Sequence, residues 1–218
     1  MTTELIQTAP PLMGALQPRL HTPWLGGNSR VDEIAELADR IGQPLLPWQK
    51  LILTDLCAVD ENNMFIKKSA LTVVARQSGK SHMMRMRVLA GLFCFDEDSI
   101  LIMSSQRQMA SKSLEIMANT IDRNPFLLKL VRGGNLDKAY KRQSGNERII
   151  LESGAEVKVV AATVDSARGL SAAMVWVDEL RDVGQEAIDA VKSTTLTRPN
   201  AQRFYTSNAG SKDSQVLN

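Results

Sequence analysis

Residues 73–81 read VVARQSGKS, and the chemistry of this stretch decides what fold the rest of the chain must build. Gly79-Lys80-Ser81 is the working end of a phosphate-binding loop. Gly79 lets the backbone approach phosphate, Lys80 reaches β/γ oxygens, and the Ser81 hydroxyl holds Mg²⁺. The usual pattern has a glycine five positions before Gly79, where this chain has Val74. Gln77 and Ser78 still permit the turn, and a polar turn ahead of a surface helix is the plain alternative for this segment taken alone. Its neighbours favour the loop. Residues 70–75 are apolar and β-branched, and residues 82–95 (HMMRMRVLAGLFCF) predict a largely buried helix. Strand, glycine turn and helix in that order aim backbone N–H groups and a helix N-terminus at phosphate.

A second run, MVWVDE at 174–179, supplies the other half of an ATP-hydrolysing site. Asp178 ends an apolar strand that delivers its carboxylate to the same Mg²⁺, and Glu179 beside it is placed to polarise a water.

The 218 residues suffice for one domain, or one plus an arm. A formal charge of +2 neither requires nor excludes nucleic acid, so any DNA-facing surface must be local. Cys57 and Cys94 sit in apolar segments without metal-ligand spacing and read as buried free thiols in a reducing compartment. His21 and His82 are too few and too scattered for a metal site. The N-terminus lacks a secretory pattern, and the longest uninterrupted apolar run, 88–95, is far short of a membrane span. A soluble, intracellular protein is expected.

Residues 1–28, with Pro10, Pro11, Pro18, Pro23 and Gly26-Gly27, predict an extended or partly disordered arm, and 29–218 one catalytic domain. Ser29 is the predicted cap of a helix over 30–41 that Gly42 ends, and a second helix is expected near 48–58. Beyond it, strands at 70–75, 99–104, 173–177 and 203–206 alternate with helices at 80–93, 106–123 and 186–192. A hairpin joins 147–151 to 156–161 across Ser153-Gly154. This alternation predicts an α/β fold with a mostly parallel sheet and helices on both faces. The stretch 124–146 has no clear pattern.

Several further residues are candidates. Trp48-Gln49 precedes the loop by about thirty residues; the Gln49 amide can read an adenine edge with Trp48 packed nearby, or Trp48 is a core anchor and Gln49 an ordinary surface residue. Arg76 can reach the γ-phosphate, pair with a carboxylate such as Glu179, or lie in solvent. Arg168, before Gly169, is placed either as a finger inserted into a neighbouring subunit's site or as a sheet-capping contact. Thr206-Ser207-Asn208-Ala209-Gly210 follows the last strand, where small polar residues can sense γ-phosphate and convert its loss into loop movement.

Taken in order, PWQ (47–49), ARQSGKS (75–81), SARG (166–169), VWVDE (175–179) and TSNAG (206–210) resemble the N-terminal ATPase part of the terminase large subunit of tailed bacteriophages. A loop that begins with Arg and lacks the first glycine is typical of that family. The resemblance implies a P-loop NTPase of the additional-strand, RecA-like type that hydrolyses ATP with Mg²⁺ to drive viral double-stranded DNA into a procapsid. It implies that the PWQ region and the loop (Trp48, Gln49, Arg76, Gln77, Ser78, Gly79, Lys80, Ser81) bind nucleotide. Ser81 and Asp178 would hold Mg²⁺, Glu179 and Lys80 would catalyse, and Arg76 would act in cis and Arg168 in trans. Residues 206–210 would couple hydrolysis to movement. It further implies a homo-oligomeric ring working with a portal and a small terminase subunit in the host bacterial cytoplasm, with no membrane. Terminases normally continue into a nuclease domain; eight residues follow Gly210, so no nuclease activity is expected of this chain. The rival readings are a superfamily-2-like helicase core, which usually needs a second recombinase-like domain, and a non-hydrolysing nucleotide-binding assembly module. Lys138, Lys141, Arg142 and Arg148 form a local basic stretch that either faces DNA phosphate or is simply solvated.

Overall fold

A computed structural model describes residues 14–23, 26–163, 169–212, 214 and 216–217. Strands are β1 (Asn28–Ser29), β2 (Ala58–Val59), β3 (Ser69–Val73), β4 (Ser99–Ser104), β5 (Tyr140–Lys141), β6 (Arg148–Ile150), β7 (Glu156–Ala161), β8 (Met174–Asp178) and β9 (Gln202–Ser207). Helices are α1 (Val31–Arg40), α2 (Pro47–Leu56), α3 (Lys80–Phe93), α4 (Arg107–Asp122), α5 (Pro125–Leu128), α6 (Leu136–Ala139) and α7 (Gln185–Thr195).

The main sheet has seven strands in the order β3-β9-β8-β4-β7-β6-β5. The five from β3 to β7 run parallel, and β6 and β5 add antiparallel at one end. Strands β4 (SILIMS) and β8 (MVWVD) lie in the middle and are apolar nearly throughout, because a parallel strand is buried on both faces. One face, carrying Ile100, Ile102, Trp176 and Phe204, meets α1 to α4; the other, with Leu101, Met103, Val175 and Val177, meets Ile188 and Val191 of α7. Helices thus cover both faces, as the alternation predicted.

Strand β9, last in sequence, lies between β3 and β8. That insertion defines the additional-strand, RecA-like P-loop architecture. Since all five parallel strands end at one edge, the loop after β3, the carboxylates ending β8 and the polar run ending β9 emerge side by side.

One local expectation needs correction, and one stretch without a pattern gains a description. Ser29 is not the N-cap of α1: Arg30 occupies that position, and the Ser29 hydroxyl accepts from the N–H of Val31 at 3.3 Å. The segment 124–146 is built of short pieces, α5, a single turn at Arg132–Gly134, α6 and β5, too brief to leave a periodic signature. Of the predicted arm, residues 1–13, 24 and 25 lie outside the described residues, while Asn28 pairs with Val59.

Away from the sheet edge, Arg87 is fully buried in α3. Its guanidinium forks onto Glu97 (3.0 and 2.6 Å), donates to Gln202 Oε1 (2.9 Å) and faces the rings of Phe65, Phe95 and Phe204. Gln202 in turn donates to the carbonyls of Leu56 and Lys67 (2.9 and 2.7 Å). A buried charge is tolerated only when it is so partnered, although the Arg87 Nε itself makes no hydrogen bond. Cys57 is buried beside this cluster and its thiol is pushed up to about 11, chiefly by desolvation. Cys94, the second free thiol, is half-buried.

Candidate active site

The loop after β3 turns through Gln77 (φ 59°) and Gly79 (φ 97°) before α3 begins at Lys80. Gly79 is needed on two grounds. Its φ lies in the left-handed region, and a Cβ there would stand 2.7 Å from Gln49 Nε2. The first N–H groups of α3, like those of any helix, lack intrahelical acceptors, and at the end of this loop they are suited to phosphate.

Lys80 is buried, and its ammonium lies 3.1 Å from Glu179 Oε1 and 3.0 Å from Asn208 Oδ1. Asn208 closes the triangle by donating from Nδ2 to both Glu179 oxygens, at 3.1 and 3.3 Å. Three strands therefore meet at one point: the loop of β3, the end of β9 and the end of β8. Glu179 adopts a left-handed backbone (φ 53°), which turns its side chain out of the strand's line toward Lys80.

Asp178 is fixed differently. The Trp176 indole N–H donates to Thr206 Oγ1 (2.8 Å), whose hydroxyl donates to Asp178 Oδ1 (2.7 Å), and the Glu179 backbone N–H adds a second bond to that oxygen (3.0 Å). Both bonds land on Oδ1, which leaves Oδ2 for a further partner. Burial raises the Asp178 carboxyl above its ordinary value, against the opposing effects of the Thr206 hydroxyl and the Lys80 ammonium. Arg85, one turn beyond Ser81, is held below its ordinary value by burial, with the Asp178 charge opposing.

The remaining candidates fall as follows. Ser81 lies half-buried in the first turn of α3. Ser78 bonds back to the carbonyl of Ala75 (2.8 Å), stabilising the loop's turn. Arg76 and Gln77 are exposed, and the pairing of Arg76 with Glu179 is not made; among the described residues Glu179 pairs with Lys80 and Arg181. Trp48 is half-buried against the main core. Gln49 is not a surface residue: it is fully buried, its Oε1 accepts from the Leu46 N–H (2.8 Å) and its Nε2 donates to the Gly79 carbonyl (2.8 Å). Thr206, Ser207 and Asn208 are buried at the end of β9, while Ala209 and Gly210 are exposed beyond it. Arg168 lies outside the described residues.

Arg181 was not anticipated. Its Nε stands 3.5 Å from Glu179 Oε2 and 3.4 Å from Asp182 Oδ2, and its backbone N–H donates to Ser207 Oγ at 3.2 Å. The only sequence signal was a cation two positions after the acidic pair. Within the basic stretch, Arg148 pairs with Glu156 (3.1 Å) and Arg142 stacks over Tyr140, while Lys138 and Lys141 are exposed.

Among the described residues no group of three or more His, Cys, Asp or Glu is placed to hold a metal. A hydroxyl and a single buried carboxylate are nevertheless the hard-oxygen donor set that suits Mg²⁺ when substrate phosphates complete its shell, so Ser81 and Asp178 fit the expected ion. No helix among the described residues is long and apolar enough to cross a membrane.

An inserted strand between a phosphate loop and an Asp-Glu strand end defines a P-loop NTPase of the additional-strand class. The family model described as the N-terminal part of the terminase large subunit, T4-like-virus type, matches residues 71–217, and the chain belongs to that family. Among solved structures, the large terminase of bacteriophage HK97 matches with a TM-score of 0.67 at 20% identity, covering 83% of this chain and 38% of that one. The large terminase ATPase domain of Thermus phage P74-26 matches at 0.57 and 14% identity, covering 79% and 68%. A large terminase from a thermophilic bacteriophage, solved in complex with ADP, matches at 0.50 and 12%, covering 65% and 33%. At these identities the likeness is one of fold, and the chain spans little more than a third of the HK97 protein. No curated protein matches it.

Proposed function

We propose that this domain binds and hydrolyses ATP to drive viral double-stranded DNA into a procapsid. The observation that carries the reading is the meeting of Lys80, Glu179 and Asn208 within 3.0–3.3 Å at the carboxyl edge of the sheet, beside the loop that leads into α3. Membership of the terminase family supports the DNA-packaging role and disfavours the helicase reading.

Lys80 leaves Glu179 for the β/γ oxygens of an arriving triphosphate, exchanging one anion for another at little electrostatic cost. Ser81 and Asp178 hold Mg²⁺, which when bound offsets the phosphate charge. Released from Lys80, the Glu179 carboxylate accepts a hydrogen bond from the attacking water and orients it toward the γ-phosphorus. Lys80 and Arg76 stabilise charge on the transferring group in cis, and Arg168 does so in trans from a neighbouring subunit of a ring. Gln77, Ser78 and Gly79 line the phosphates with backbone N–H groups, and the adenine lies on the side of Trp48 and Gln49. Residues Thr206 to Gly210 carry the loss of the γ-phosphate away along β9. The motor works in the host cytoplasm at a portal, with a small subunit.

The test is steady-state phosphate release beside nucleotide binding. Glu179→Ala is expected to bind ATP as wild type does and to lose turnover, whereas Lys80→Ala loses binding itself. Unchanged turnover in Glu179→Ala removes Glu179 from its role. Nucleotide binding without phosphate release in the wild type, measured with DNA and portal present, returns the assembly-module reading.

A further inference from the structure

We infer that Arg181 is a positioning residue for Glu179, taking hold of its carboxylate when Lys80 turns to phosphate. The inference rests on Glu179 aligning the attacking water.

Glu179 Oε1 is shared between Lys80 and Asn208, while Oε2 faces Asn208 and, at 3.5 Å, Arg181 Nε. Once Lys80 moves to phosphate, Oε1 loses its strongest partner and the carboxylate is free to swing. Asn208 holds both oxygens, but its own Oδ1 rests on Lys80, so it loses an anchor in the same step. Arg181 acts on Oε2 only, so a closer bond there leaves Oε1 pointing into the space Lys80 vacates.

Three features equip Arg181 for this. Its Nε is shielded from solvent and makes no hydrogen bond, although carboxylate oxygens of Glu179 and Asp182 lie 3.5 and 3.4 Å away, so a small reorientation would complete one. Buried donors left unpaired are unfavourable, so a small approach of Glu179 is favourable for both groups. The turn Leu180–Asp182 that carries it is anchored by buried Leu180 in the second core cluster, which keeps the guanidinium from retreating. Finally, its backbone N–H is bonded to Ser207 Oγ on β9, so the residue that steadies Glu179 also senses the strand bearing Asn208.

The experiment is single-turnover hydrolysis of γ-labelled ATP by the wild type, Arg181→Ala, Arg181→Lys, Glu179→Ala and the Arg181→Ala/Glu179→Ala double variant. Binding of a fluorescent methylanthraniloyl-ATP and the Tm of each are measured alongside. Arg181→Ala is expected to slow the chemical step on the order of tenfold with nucleotide affinity and Tm unchanged. Arg181→Lys recovers most of that loss, and the double variant is no slower than Glu179→Ala alone. Wild-type rates in Arg181→Ala, equal loss in the Lys variant, additive losses in the double, or a parallel fall in affinity and Tm each overturn the inference. A wild-type rate in Glu179→Ala overturns instead the reading on which it rests, and the two failures are thereby told apart.

Discussion

The Gln49 side-chain amide donates to the carbonyl of Gly79 at 2.8 Å, tying the start of α2 to the turn of the phosphate loop thirty residues later. With Oε1 engaged by the Leu46 N–H, both ends of this amide hold protein. Each end keeps one further hydrogen-bonding position, but the side chain is fully buried, so reading an adenine edge from here requires the amide to move. Gln49→Ala is therefore expected to weaken ATP and GTP alike, by about 1–2 kcal/mol or roughly 5- to 30-fold, because it leaves the Leu46 N–H without its acceptor, strips the Gly79 carbonyl of all but the Met83 N–H, and loosens the loop. Competition binding with the two nucleotides checks this. A selective loss of ATP affinity shows that the amide moves to the base when nucleotide arrives.

Gly79→Ala is expected to lose nucleotide binding altogether. The added methyl meets Gln49 Nε2 at 2.7 Å in a backbone conformation that alanine rarely adopts, so loop and helix cannot both keep their places. Isothermal titration of the variant with ATP, beside a melting curve to show that it folds, decides the point.

The raised Asp178 carboxyl predicts a stability profile with pH. The folded chain holds this proton more tightly than the unfolded chain does. The stabilisation is complete below the ordinary aspartate value of 3.8 and is lost as pH rises through the higher folded value. Asp178→Asn, which keeps an acceptor for Thr206, is expected to raise Tm at pH 7, about 2–4 °C for each kcal/mol relieved, while losing Mg²⁺-dependent ATP affinity. The Tm gain shrinks as pH is lowered toward 4. Melting curves across that range give the answer; a Tm gain that grows on acidification contradicts the prediction.

Arg87 carries the corresponding prediction for the core. Arg87→Ala leaves Glu97 buried without its partner and should destabilise by about 3–5 kcal/mol. Combining Arg87→Met with Glu97→Leu removes both charges and is expected to recover most of the loss. Urea denaturation of the two variants beside the wild type measures it, and an equally unstable double variant indicates that the Phe65, Phe95 and Phe204 contacts, rather than the ion pair, hold the region together.

Much of this was legible before any coordinates. Residues 99–104 form a strand over the whole predicted range because an uninterrupted apolar run between turn signals has no other solution in a parallel sheet. The helix starting at Lys80 followed from the glycine turn, and Asp178 ends its strand because a buried apolar run stops at the first charge. What was not legible depends on contacts distant in sequence. Nothing near Gln49 says that its amide points at Gly79, and nothing near Arg87 names Glu97 and Gln202 as the groups that make its burial tolerable. Arg181 reads as an ordinary surface cation until β9 and Glu179 close around it. The short elements of 124–146 escaped because each is under two turns long and shaped by its neighbours.

The placement of β9 has a metrical consequence. With one strand inserted, the ends of β3 and β8 are separated by two interstrand spacings, roughly 10 Å. The sheet itself thus acts as a caliper whose jaws are the lysine loop and the Asp-Glu corner, with Asn208 on the rung between them. Under the proposed chemistry a ligand shortened by one phosphoryl group still touches the first jaw and no longer spans to the second. The Lys80 side chain then reaches across to Glu179, as it does here at 3.1 Å, and spent fuel registers as a bridge re-formed between the jaws.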